Sequence, residues 1–426
     1  MIEDAWRIVG GRPLRGTLRP SGSKNGSLPL LAATLLLDGE TILHNIPRIA
    51  DIGVMIELLR AFGLNVEDTG GGEIRIVNRG LSTHIAPAEL VSKMRASHYL
   101  LGPVVTQLGR AELPLPGGCD IGERPVQYII DGLEALGASA RIGEDRISAQ
   151  ASRLIGSVVA LNPVYRSPGA TFNLLMAAVK AQGKTVIENA SREPDVVGFC
   201  HFLNAAGAGI EGIGTAALTV HGVTRLAGLT HRANPDRLEA GTFICAAAAT
   251  GGDVTIHEMT LDQLGAFADK LVEAGVHLDP SAEGIRASCP DRPRGLSLTT
   301  GPFPGFATDL QPPTTALLAC AEGHSQVEES IFTQRLQSVE QLVKMGAFMR
   351  LIDPQRVAIR GVPRLHAAAV EGRNIRDSAA LVIAALSAEG ESTVLGRQYV
   401  MRGYEDFEDK LRSLGADITL AGIGEG

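Results

Sequence analysis

Aromatic residues are scarce in this chain, 4% of 426, so its core has to close with aliphatic and small side chains rather than ring clusters. Its 50 glycines and 45% hydrophobic content fit many tight turns and helices packed at close range. Long apolar runs are also missing; none reaches the roughly 18 to 20 residues of a membrane span. The start, Met1-Ile2-Glu3-Asp4-Ala5-Trp6, lacks a basic region followed by an apolar stretch. Both absences predict a cytoplasmic protein with no membrane partner. Nor is positive charge in excess: the formal net charge is −8, which argues against a nucleic-acid partner and requires any anionic ligand to be held by a local cluster of cations. The five cysteines (Cys119, Cys200, Cys245, Cys289, Cys320) are odd in number and form no CxxC pair, which predicts reduced thiols and no zinc.

What is present is length and repetition. The chain exceeds the size at which one core stops growing, so two domains are expected. A helix-ending signature recurs six times, closing on Gly63, Gly137, Gly207, Gly275, Gly346 and Gly415, 68 to 74 residues apart. Each glycine suits the left-handed position just past a helix, where a Cβ would be strained. A second series interleaves with it: an Ala/Leu-rich helix, a glycine (39, 109, 183, 251, 323 and 390) and then a β-rich run. Two short strands around a turn follow each helix of the first series, as in Glu73-Ile-Arg-Ile-Val77 after Gly70-Gly71-Gly72. The predicted class is α/β, six units of strand, helix, strand, helix and hairpin.

The sixth unit lacks its closing strand, while Val9-Gly-Gly-Arg-Pro-Leu-Arg-Gly16 resembles the closing elements at Val220 and Ile359. If the chain start completes unit six, one domain spans 23–233 and the other combines 1–22 with 234–426. Two crossings, near 22 and 233, would then act as a hinge. The second-series helices are apolar nearly all round and should be buried. Their N-terminal segments hold Ser23-Lys24-Asn25, Met94-Arg95-Ala96-Ser97, Ser167-Pro168-Gly169, Glu239, Thr308-Asp309 and Asn374-Ile-Arg376. Parallel helices would aim these ends at one face of each domain, where N–H groups and dipoles favour anions.

The loop Leu115-Pro-Gly-Gly-Cys119-Asp-Ile-Gly-Glu-Arg124-Pro-Val126 is the most distinctive segment. A thiol five residues from an arginine can have its ionisation assisted; the plainer alternative is an inert small hydrophobe. Lys24, Arg95, Arg124, Arg376 and Arg402 lie at helix starts or in glycine-bearing loops. Any one alone reads as a surface charge, whereas five at equivalent places in a repeat suit phosphate and carboxylate recognition. Asp309, just before an apolar helix, is by default an N-cap, and as a functional residue a general base.

These segments, with Val186-Ile-Glu-Asn-Ala190, Arg192-Glu-Pro194, Pro235-Asp-Arg237, Gly241-Thr-Phe243, Arg402-Gly-Tyr-Glu405 and Glu408-Asp-Lys-Leu411, resemble the enolpyruvyl transferase family nearly end to end. Within it they look like the branch acting on UDP-N-acetylglucosamine; the sister branch acting on shikimate phosphate has other acceptor residues and no such cysteine loop. The resemblance implies a fold of two inverse α/β barrels of three units each. It implies that phosphoenolpyruvate sits against Lys24, Arg124, Arg376 and Arg402, that Cys119 is the general acid at C3 and that Asp309 takes the proton of the acceptor hydroxyl, with Lys24 and Arg402 also catalytic. Asn25, Arg95, Arg124, Ser167, Gly169, Glu193, Asp309 and Arg335 would line the acceptor side. The family's loop thiol is alkylated by the epoxide fosfomycin. No metal or organic cofactor is implied, and nothing points to an obligate protein partner.

This chain departs from the family's pattern where the acceptor is expected. Gln127 and Ile129 stand where an acidic residue and a histidine are usual, Tyr165-Arg166 displaces a basic residue, and Pro168 replaces a valine. The residues flanking Arg335 have changed, and Asn374 replaces an aspartate. Polar mismatches discriminate substrates strongly. Besides UDP-N-acetylglucosamine in peptidoglycan precursor synthesis, the readings are therefore a relative acting on the 3′-hydroxyl of UMP in nucleoside-antibiotic assembly, and a non-catalytic nucleotide-binding paralogue.

Overall fold

The structure, a computed structural model, describes residues 5–115 and 126–421. All twelve glycines of the two series have positive φ, between 68° at Gly109 and 107° at Gly207. The repeat is thus punctuated where a side chain would be strained. The described residues fall into two compact α/β units, one from the chain start to Ser21 and from Pro235 onward, the other between Gly22 and Asn234. No helix among them is long and apolar enough to cross a membrane.

Five sheets share one strand order. An opening strand lies parallel to the strand that follows a buried helix, and that strand pairs antiparallel with one arm of a hairpin. In the Gly22–Asn234 unit the sheets centre on Gly39–His44, Arg110–Pro114 and Lys184–Glu188. The second of these has three strands, its opener reduced to the single bridge Ile85 to Glu112. In the other unit the sheets centre on Asp253–His257, His324–Glu328 and Glu391–Leu395.

The chain start supplies the missing strand. Ala5–Val9 pairs antiparallel with both Glu391–Leu395 and Asp417–Leu420, the place a hairpin's return arm holds in the other sheets. Trp6, the only tryptophan, is fully buried there and donates its indole N–H to Glu408 Oε2 at 2.6 Å. The next strand, Arg15–Leu18, opens the sheet of Asp253–His257, as Thr230–Arg232 opens that of Gly39–His44. In each unit, then, a strand that follows the third repeat pairs with the central strand of the first.

The second-series helices are buried as their composition requires. Every residue of Gln311–Ala319 is buried, and this helix packs against Arg237–Ala249 and Ile375–Ser387. Small residues set the spacing: a Cβ on Gly102 would stand 2.6 Å from the carbonyl oxygen of Asn173, and one on Gly241 2.6 Å from Leu310. Sequence placed Glu239 in the N-terminal segment of the fourth buried helix, and it lies in the first turn. The helix begins at Arg237, because the Asp236 side chain caps it by accepting from the backbone N–H of Leu238 and Glu239.

Candidate functional site

In the unit containing Pro235 onward, helix starts gather charged side chains that the apolar helix bodies cannot hold. Asp309 is not an N-cap. It lies inside a 3₁₀ turn, Thr308–Leu310, that precedes the helix Gln311–Ala319. Arg335 Nη2 donates to Asp309 Oδ1 at 2.7 Å, and Arg376 reaches Oδ2 at 3.2 Å. The two arginine side chains are 2% and 4% exposed, the aspartate 26%. The carboxylate therefore forms the solvent-facing end of a buried cationic pair.

Neither arginine is saturated. Arg376 Nη1 and Arg335 Nε find no acceptor among the described residues. A buried cationic N–H without an acceptor costs more than an ordinary lost hydrogen bond, so this cluster favours an anionic oxygen. The Arg376 guanidinium lies 4.9 Å from the ring centre of Tyr404, whose hydroxyl is 2.8 Å from Thr242 Oγ1. Burial pushes the Tyr404 phenol above its ordinary value, so the hydroxyl stays protonated at neutral pH. Arg402 sits half-buried in the turn before Tyr404. Asn374 caps the helix Ile375–Ser387, its Oδ1 accepting from the N–H of Arg376 and Asp377 while its Nδ2 donates to Asp377 Oδ2 at 2.6 Å. Burial raises the Asp377 carboxyl to about 6, opposed by Arg335 and by this amide.

In the Gly22–Asn234 unit, Lys24 opens the helix Lys24–Ala33 and its Nζ lies 2.8 Å from Asp51 Oδ2, in the first turn of Ala50–Ala61. Ser23 caps the same helix through Gly26 N–H, and Ser167 caps Pro168–Ala178 through Ala170 N–H. Asn25, Arg95, Gly169 and Glu193 are half-buried around these starts, and a Cβ on Gly169 would stand 3.0 Å from His98 Nε2. Cys119 and Arg124 lie outside the described residues. Among the described residues no group of His, Cys, Asp or Glu forms a metal site.

The departures from the family's pattern have local structural uses. Ile129 is 3% exposed in the core, and Gln127 is exposed on its helix and donates to Asp131 Oδ1 at 2.6 Å. Tyr165 packs 5.8 Å from Tyr128, ring centre to ring centre. Arg166 Nε donates to Pro163 O, and Pro168 takes the first helical turn, where proline is favoured. Sequence reasoning quoted Tyr404 without assigning it a role, and it missed Asp51. Asp51's position two residues past Ile49, in the first turn of an amphipathic helix, was the available signal.

Three comparisons bear on this geometry. The family model described as EPSP synthase (3-phosphoshikimate 1-carboxyvinyltransferase) matches residues 8–411. A UDP-N-acetylglucosamine 1-carboxyvinyltransferase 3 of Symbiobacterium thermophilum is 44% identical over 97% of each chain. A UDP-N-acetylglucosamine 1-carboxyvinyltransferase of Halorhodospira halophila is 42% identical over 96% of this chain and 98% of the relative. Among solved structures, the enolpyruvyl transferase NikO from Streptomyces tendae superposes with a TM-score of 0.88 at 25% identity, over 98% of this chain and 99% of that one. An EPSP synthase from Acinetobacter baumannii shares the fold, with a TM-score of 0.75 at 19% identity, over 98% of this chain and 100% of the other.

Proposed function

The chain belongs to the EPSP synthase family of enolpyruvyl transferases, and from that premise we propose that it transfers the enolpyruvyl group of phosphoenolpyruvate to the 3-hydroxyl of UDP-N-acetylglucosamine with release of phosphate. The carrying observation is Asp309 held at the exposed end of two buried arginines with N–H groups to spare. We carry with it the family's inverse barrel for each unit, domain limits of 23–233 and 1–22 plus 234–426, and a cytoplasmic setting.

In this reading Lys24, Arg124, Arg376 and Arg402 hold the phosphate and carboxylate of phosphoenolpyruvate, and preorganised cations stabilise charge that develops there. Asn25, Arg95, Ser167, Gly169 and Glu193 line the acceptor. Asp309 accepts the proton of the acceptor hydroxyl as its oxygen bonds to C2, while Cys119 gives a proton to C3. The resulting ketal then breaks its bond from C2 to the phosphate oxygen, and loss of a C3 proton restores the double bond. Arg335, 2% exposed and aimed at Asp309, orients the base rather than the acceptor. Asn374 is committed to capping, and that use is compatible with a working enzyme.

A second reading, transfer to the 3′-hydroxyl of UMP, draws on the departures at the acceptor positions, and the enolpyruvyl transferase NikO, 25% identical, shares the reaction class. Identities of 42 to 44% to the UDP-N-acetylglucosamine enzymes, and departures absorbed into local packing, favour the first. Phosphate release from phosphoenolpyruvate in the presence of UDP-N-acetylglucosamine, UDP or UMP separates them. Turnover with the first alone is expected; turnover with UMP alone refutes the acceptor, and none with any of them refutes the enzyme.

A further inference from the structure

We infer that Glu329 is a positioning residue of this reaction, a buried carboxylate that sets where Asp309 and Arg335 meet. The inference rests on the reading of Asp309 as the base. In four sheets the residue directly after the central strand is left-handed: Asn45, Asn189, Glu258 and Gly396, with φ of 59°, 55°, 56° and 107°. Asn45 and Asn189 use that turn to bind backbone at the end of the neighbouring opening strand, donating to Ala233 O and Leu161 O at 3.0 Å. Glu329, which follows His324–Glu328, holds the same place in its sheet but stays out of the left-handed region. It turns its carboxylate inward and is 0% exposed.

Four donors meet that carboxylate. Thr300, directly after the opening strand Ser297–Thr299, donates to Oε1 at 2.9 Å, as do Ile331 N–H at 2.8 Å and Phe332 N–H at 3.1 Å. Thr308 donates to Oε2 at 2.8 Å. One side chain thus ties together the turn that carries Asp309 and the segment that leads to Arg335. A carboxylate taken wholly out of water is expensive to keep, and a purely structural turn would be served by asparagine, as in two sister units. Of the four bonds, the one to Thr308 reaches the residue beside Asp309. Positions at the carboxyl ends of parallel strands are where α/β sheets place ligands.

The test compares Thr308→Val, Glu329→Ala, Glu329→Gln and Asp309→Asn for kcat and for the KM of phosphoenolpyruvate, with thermal melts to confirm folding. Thr308→Val keeps the shape and the other three bonds to Glu329, and severs only the tie to the Asp309 turn. Misplacing a catalytic group by about 1 Å costs on the order of 10²-fold, so Thr308→Val and Glu329→Ala should lower kcat by about ten- to a hundredfold with KM held. Glu329→Gln, whose amide oxygen keeps the three Oε1 bonds, should exceed Glu329→Ala by about tenfold. Should Glu329→Ala fail to fold, Thr308→Val decides. Wild-type kcat in folded Thr308→Val beside an inactive Asp309→Asn overturns this inference alone, as does a loss confined to KM. Full activity in Asp309→Asn overturns the base assignment and this inference with it.

Discussion

Replacing Asp309 with asparagine should lower both turnover and stability, and both effects can be worked from the contacts. The substitution removes the carboxylate that pairs with both Arg335 and Arg376, whose side chains are 2% and 4% exposed. Breaking a fully buried pair costs about 3–5 kcal/mol. Asp309 is 26% exposed, and an amide oxygen still accepts one guanidinium N–H, so about 1–2 kcal/mol is expected instead. Melting should fall by roughly 2–8 °C for a unit of this size. Inorganic phosphate or phosphoenolpyruvate should restore more of that loss than the same ligand adds to the wild type, because the Asp309 carboxylate no longer competes for the two guanidinium groups. The kcat for acceptor-dependent phosphate release should drop about 10²- to 10⁴-fold, with the KM for phosphoenolpyruvate unchanged or lower. Differential scanning fluorimetry with and without phosphate, beside steady-state kinetics, reads both sides. An unchanged kcat, or equal phosphate stabilisation in both proteins, would refute the reasoning.

Other consequences are independent of that cluster. Burial raises the thiols of Cys200 and Cys245 to about 12 and also raises those of Cys289 and Cys320, so native protein treated with iodoacetamide at neutral pH should be alkylated at Cys119 and spared at those four, as peptide mass spectrometry will show. Cys119→Ser should lose turnover and fosfomycin sensitivity; inhibition persisting in that variant contradicts the assignment. Burial alone would raise the Glu408 carboxyl, but hydrogen bonds from Arg397 and Trp6 prevail and hold it below the usual range. A depressed carboxylate stabilises the fold above its unfolded pKa and loses that contribution as pH falls through the folded value. Urea midpoints followed by Trp6 fluorescence should therefore be lower for Glu408→Gln than for wild type at pH near 7, and the gap should close below about pH 4. A gap independent of pH argues against the charge. Gly102→Ala, whose new Cβ would stand 2.6 Å from Asn173 O, should destabilise its unit by about 1–3 kcal/mol in the same assay, and a neutral result would place that helix pair further apart.

The repeat was legible because its punctuation is steric: a glycine just past a helix is demanded by backbone conformation, and all twelve have positive φ. The return of the chain start to the sixth sheet was legible too, from the likeness of Val9-Gly-Gly to Val220-His-Gly, and Ala5–Val9 does pair there. Partnerships across sheets were not. For Asp309 the sequence left an N-cap and a general base side by side, because an acidic residue before an apolar run usually caps it and the intervening 3₁₀ turn was invisible in the pattern. Arg335 read as an acceptor contact, and what the sequence did not show is its burial and its pairing with Asp309, a relation fixed by how the segment after His324–Glu328 folds back. Glu329 gave no signal, since a glutamate after a strand ordinarily faces water, as half-exposed Glu258 does beside Arg19. The departures at Gln127, Ile129 and Asn374 read as changes at acceptor or donor positions, and their local uses were not legible in a motif: Ile129 lies in the core, Gln127 donates to Asp131 and Asn374 caps a helix.

The product made from phosphoenolpyruvate and UDP-N-acetylglucosamine tests the proposed transfer most directly. Mass spectrometry with proton NMR should find the nucleotide sugar carrying one enolpyruvyl ether at the 3-position of its sugar, in one-to-one yield with phosphate. An unmodified nucleotide sugar after prolonged incubation with active protein, or phosphate released without that ether, contradicts it.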